Sequence, residues 1–118
     1  MTPEELRQRT KKFAPGVLDL TERLPKTNTG RILANQLARS ATSVAANYRS
    51  ACKGRSKAEF IAKLGIAEEE ADEGQLWLEL IGEKLLAPKE IVDPLLCEAK
   101  QITAILAASR KSASATKQ

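Results

Sequence analysis

Phe60, Leu64, Ala67, Ala71, Gly74, Leu78, Ile81 and Leu85 follow one another at alternating spacings of four and three. That seam constrains the fold more than any other part of the chain. It describes one helix of about seven turns that must bury a narrow stripe against other helices. A strand could not use it, because strand side chains change face at every residue. Lys63, Ile66, Glu70, Glu73, Trp77 and Leu80 form a second line beside the seam. Ala67, Ala71 and Gly74 leave a waist where another helix can press close, and Trp77 just beyond it is expected to be buried or at an interface. The chain of 118 residues is short enough for a single core. β-branched residues nowhere cluster with period two, so there are no candidate strands. The fold expected is all-α, with the long helix running from Lys57 to Leu86.

Three further helices supply partners for that seam. The first starts with Thr2 as N-cap and Pro3 at the first helical position, with Glu4 and Glu5 near the positive end of the helix dipole. Leu6, Phe13, Val17, Leu20 and Leu24 recur on one face, with Thr10 filling the gap. Pro15-Gly16 predicts a kink or break near Ala14, and the unbroken apolar period favours a kink. The second helix, from about Thr29 to Ala51, has Leu33, Leu37, Ala41, Val44, Tyr48 and Ala51 as its core stripe. Pro88 opens the fourth, where Ile91, Leu95, Ala99, Ile102 and Leu106 form the core line and Leu96 and Ile105 widen it. Pro94 is expected within about its first turn, where it is tolerated. Residues 1–109 are read as one bundle domain, and residues 110–118 as a polar, disordered basic tail.

The second helix and the joint after it hold most of the unusual chemistry. Gln36, Ser40, Ser43 and Asn47 run beside its core stripe, and such groups are costly to bury unless paired, so partners across a helix interface are expected. Glu70 and Glu73 lie next to the seam and call for arginine, with Arg39, Arg49 and Arg55 as the available donors. Arg31, Arg39, Arg49 and Lys53 fall within about 80° of one another, opposite the core. With Arg55 they are the candidate phosphate contacts; a solvated outer face is the competing reading. Gly54 is expected to end the helix in the left-handed conformation, and Ser56-Lys57-Ala58-Glu59 reads as a capping box opening the next helix. Residues 1–57 hold 12 Lys and Arg against 4 Asp and Glu, and residues 58–118 hold 7 against 11. A basic half beside an acidic half fits a nucleic-acid surface, or helices that attract each other within one chain or between copies.

Several classes of function find no support. Histidine is absent and the two cysteines, Cys52 and Cys97, lack metal-ligand spacing, so no metal or cofactor is expected and both thiols are read as free, as in a reducing cytoplasm. The acidic run Glu68-Glu69-Glu70-Ala71-Asp72-Glu73 lacks the Glu-x-x-His pairs of di-iron bundles. No nucleophile–base pattern or glycine-rich phosphate loop argues for an enzyme. The polar N-terminus reads as helix-initiating, so no secretory leader is expected, and no apolar run reaches the roughly 18 residues that span a bilayer.

Gln36-Leu-Ala-Arg39-Ser-Ala-Thr-Ser43-Val-Ala-Ala-Asn47, then Arg55-Ser56 with Phe60-Ile61, Ile66-Ala67 and Glu73, resembles the bacterial four helix bundle proteins, also called 23S rRNA intervening-sequence proteins. The resemblance covers about residues 13–107. It implies an antiparallel up-down-up-down left-handed four-helix bundle that assembles as a ring-shaped homopentamer without catalytic activity. Some members are encoded inside insertions in 23S rRNA genes. A related branch serves diversity-generating retroelements, where it binds reverse transcriptase and nucleic acid. The function expected is therefore a cytoplasmic oligomer that binds RNA or DNA through its basic half, or a protein-binding ring without nucleic-acid contact. Two stretches depart from the commoner pattern. Asn47-Tyr48-Arg49-Ser50-Ala51-Cys52 stands where many members have Asn-Ile-Ala-Glu-Gly, and Glu69-Glu70 stands where many have Gly-Ser. Together they remove a carboxylate from the joint and add one to the third helix, which predicts a rearranged Arg/Glu network.

Overall fold

The computed structural model of the chain describes residues 1–115. Four antiparallel helices, α1 (Pro3–Arg23), α2 (Asn28–Cys52), α3 (Lys57–Glu83) and α4 (Lys89–Ala115), form an up-down-up-down bundle, and no strand occurs among the described residues. Short joints force consecutive helices to be neighbours. α3 packs most extensively, against α2 on one side and α4 on the other, whereas the α1–α4 contact is the thinnest of the four. The molecule is a rod of 51 × 21 × 19 Å, the long dimension set by helices of up to 27 residues.

The starts of α1, α2 and α3 are each fixed by a side chain. Thr2 accepts from the Glu5 amide, and the Glu5 carboxylate accepts in return from the Thr2 amide, completing a capping box on α1. That return bond, then the Thr2 hydroxyl, holds the Glu5 carboxyl below its ordinary range. Thr27 caps α2 by accepting from Gly30, and Ser56 caps α3 by accepting from Glu59. Gly30 is required for space: a Cβ there would lie 2.0 Å from the Pro25 carbonyl oxygen, where the chain turns back across the start of α2.

The expected stripes become the core. Leu6, Thr10, Phe13, Val17, Leu20 and Leu24 are buried on the α1 side, as are Leu33, Leu37, Ala41, Val44, Tyr48 and Ala51 on α2. Leu64, Ala67, Ala71, Gly74, Leu78 and Ile81 are buried along the α3 seam. Each fully buried leucine or isoleucine contributes roughly 1.5–3 kcal/mol relative to exposure.

α1 runs unbroken through Pro15, in line with its uninterrupted apolar period; Pro15 is exposed one residue before the tightly packed Gly16, where a Cβ would lie 3.2 Å from Leu95. Four local expectations are corrected. Gly54 is not left-handed, since no glycine has a positive φ; a Cβ there would crowd the Ala51 carbonyl at 3.1 Å and the Phe60 amide at 3.3 Å. The α3 seam stops before Leu85, which is 87 % exposed at φ 56 while its amide and that of Leu86 bond back to Gly82 and Ile81. On α4, Val92 takes the fully buried place, and Ile91, Leu95, Leu96 and Ile105 pack around it half-buried. Val92 lies seven residues before Ala99 and fourteen before Leu106, so the buried line keeps one heptad face, and Pro94 stands exposed in the second turn, off that line. Finally, the helix continues through Ala115 instead of giving way at residue 110, because Arg110 is anchored on α3 by Glu68 at 2.6 Å. The rest of the expected tail, residues 116–118, lies outside the described residues.

Candidate nucleic-acid interface and the polar network behind it

The polar stripe of α2 lies against α3. Ser40 is fully buried and accepts from the Trp77 indole N–H at 3.2 Å, so each satisfies the other in an otherwise apolar layer. Seven residues on, Asn47 donates to the Ser43 carbonyl and hydroxyl, both at 2.9 Å, within its own helix and not across the interface as the stripe had suggested. Gln36 is half-buried and makes no side-chain hydrogen bond among the described residues.

Arg39 is the donor that Glu70 and Glu73 require. Its guanidinium forks across the two carboxylates, 2.8 Å to Glu70 and 3.1 Å to Glu73. The bond to Glu70 first, with that to Glu73 adding, holds the Arg39 proton more tightly than usual. Glu70 thus engages Arg39 through one carboxylate oxygen. Its second oxygen, Oε1, is buried with no hydrogen-bond partner. An acceptor left like that is costly, about 1–3 kcal/mol for a neutral group and more for a charged one.

The candidate cations therefore divide. Arg39 is committed to α3. Arg31, Arg49, Lys53 and Arg55 are exposed and, among the described residues, have no carboxylate within ion-pair distance. Arg31 and Arg49 share a side of α2 but stand 18 residues apart, about 27 Å along the helix, so they mark a line and not a cluster. The structure brings Arg49 instead toward α1, where Arg7, Lys11 and Arg49 line a groove of about 350 Å³ with Ala45 and Ala46. Arg7 also pairs with Glu4 on its own helix. Neither Arg7 nor Lys11 stood out in the sequence, although their spacing of four puts both on one helix face.

Other cations are used internally. Arg9 forks onto Glu98 at 2.7 and 2.8 Å, tying α1 to α4 across their thin contact, and Arg110 does the same between α4 and α3. Pairing with those carboxylates raises the proton affinity of both guanidinium groups. Such long-range pairs have no signal in the sequence, because their spacing reflects topology and not helical period. No cluster of three or more potential metal ligands occurs among the described residues. Cys52 is half-buried and Cys97 exposed, and both are free thiols. No described helix is long and apolar enough to cross a membrane.

Comparison with known proteins agrees with this architecture. Residues 4–108 match the family model of the 23S rRNA-intervening sequence protein. A crystal structure of a protein of unknown function from the S23 ribosomal protein family of Bacteroides thetaiotaomicron superposes with a TM-score of 0.86 at 30 % identity, covering 94 % of this chain and 99 % of the other. No curated protein matches the chain.

Proposed function

The chain belongs to the 23S rRNA-intervening sequence protein family, and from that premise we propose that it is a non-enzymatic, oligomeric bundle that binds RNA or DNA through its basic side in the cytoplasm. The observation that carries the binding role is the way charge is sorted. Arg9, Arg39 and Arg110 are consumed in pairs between helices, whereas Arg31, Arg49, Lys53 and Arg55 are left exposed on α2 and the joint after it. Bundle stability does not use those four cations, and an array of uncompensated cations attracts a polyanion by releasing its counterions.

Self-association rests on the α2–α3 face. Ile66 and Leu76 are 41 % and 47 % exposed on the side of α3 that carries Glu73, and Ile32 is 51 % exposed on the side of α2 that carries Arg39. The Arg39–Glu73 pair joins these two sides into one patch, with the orphaned Glu70 oxygen beneath it. A patch of exposed isoleucine and leucine over an unsatisfied buried carboxylate is an interface lacking its second half. We assign that half to another copy of the chain, and the proposed closed state is a pentameric ring. The same patch supports the alternative, a ring that engages another protein with no nucleic-acid contact.

Fluorescence anisotropy with a structured RNA and a duplex DNA tests the binding role. Binding should fall steeply with salt, and the slope should shrink when Arg31, Arg49, Lys53 and Arg55 are replaced by glutamine. Absence of binding to both probes at low salt would sink the reading in favour of a protein partner. Light scattering tests the assembly: a mass about five times the 12.8 kDa protomer is expected, falling in an Ile66→Lys/Leu76→Lys variant. A protomer mass across micromolar concentrations would contradict it.

A further inference from the structure

We propose that the groove between α1 and α2 formed by Arg7, Lys11 and Arg49 is a seat for consecutive phosphodiester groups of a nucleic-acid strand. This rests on the binding role just proposed and deepens it by naming the site and the part of the ligand that it takes. Arg7 and Lys11 project from the same face of α1, one turn apart, and Arg49 enters from the opposite wall on α2. Between them the floor is Ala45 and Ala46, whose methyl groups leave the cations standing above a recessed surface. No carboxylate lines the groove itself. Glu4 holds one Nη of Arg7 from the same helix, but a guanidinium carries five N–H donors, so Arg7 retains donors for a second acceptor.

The residue types fit phosphate better than they fit other anions. Two arginine forks match the paired oxygens of a phosphodiester, and Lys11 adds a compact positive charge between them. The absence of large apolar or aromatic side chains from the lining argues against a docked peptide helix or stacked base. Recognition here is of the backbone, and the groove is blind to base identity. At about 350 Å³ it has room for more than one phosphate with its sugar, and three cations suit two monoanionic phosphates with charge to spare.

The test is anisotropy of a fluorescein-labelled single-stranded RNA across a salt series. Three proteins are compared: the full chain, an Arg7→Gln/Lys11→Gln variant, and a Lys84→Gln/Lys100→Gln variant. The last removes the same charge from exposed positions on the α3–α4 side. The groove variant should bind at least about tenfold more weakly at low salt, with its salt slope reduced by roughly one to two. The control should lose far less, and Arg7→Lys/Lys11→Arg, which keeps the charge, should recover most of the affinity. If the full chain binds but groove and control variants weaken equally, the groove is not the seat and the wider binding role stands. If the full chain does not bind at all, both fall. Competition by poly-glutamate as effective as by unlabelled RNA would also overturn the phosphate assignment, pointing to an acidic protein partner.

Discussion

Leu85 holds a backbone conformation that suits glycine, at φ 56, and leaves 87 % of its surface in water. The reason is the end of α3: the amides of Leu85 and Leu86 turn back to the Gly82 and Ile81 carbonyls, which requires a left-handed residue between them. A side chain there costs about 1–2 kcal/mol, and exposure returns nothing. Leu85→Gly should therefore stabilise the bundle by about 1 kcal/mol in urea denaturation; a loss of stability would mean that Leu85 makes a contact the free chain lacks. Tyr48 offers a second test. Burial, then the hydrogen bond with Cys52, pushes its hydroxyl well above the ordinary tyrosine range. The unfolded chain loses that proton near pH about 10 and the folded chain keeps it. Stability is therefore whole below that pH and falls as pH rises beyond it. As Tyr48 is the only tyrosine, phenolate absorbance should appear together with alkaline unfolding. Its appearance in the still-folded protein near pH about 10 would contradict the burial.

The helices themselves were legible because each carries its own period and its own cap, and both are local. Thr2 and Ser56 could be read as caps from a few residues of sequence, and the stripes from Leu6 to Leu24 and from Leu33 to Ala51 turned inward as their spacing required. What happens between helices was less legible. Ser40 belonged visibly to a polar stripe, but nothing local links it to Trp77, 37 residues away. Arg39 was readable both as an outward cation and as a partner for Glu70 and Glu73, and only packing chose the second. The end of α3 was misplaced because the four-and-three seam continues through Leu85 after the helix has stopped. The Ser40–Trp77 bond can be tested by a double-mutant cycle. Ser40→Ala should cost about 1–2 kcal/mol by stranding the indole N–H, and that cost should largely vanish in a Trp77→Phe background. Equal costs in the two backgrounds would mean that the pair is not coupled.

Taken whole, the bundle keeps its internal ion pairs on one set of surfaces and its uncompensated cations on another. Pairs fasten α1 to α4, α2 to α3 and α3 to α4, while α1 against α2 is held by apolar packing and carries the basic groove outside. The α2–α3 face carries exposed apolar side chains and the orphaned Glu70 oxygen. The self-association and the polyanion binding proposed above would therefore use different surfaces and need not compete. The composition showed the basic half, but it could not show which cations the fold would consume. The most direct test is photo-crosslinking of the assembled protein to a uridine-containing RNA, with the crosslinked peptides identified by mass spectrometry. Crosslinks should fall on α1, α2 and the joint at Lys53–Arg55, concentrated near Arg7, Lys11 and Arg49. Crosslinks confined to α3 and α4 would contradict the account.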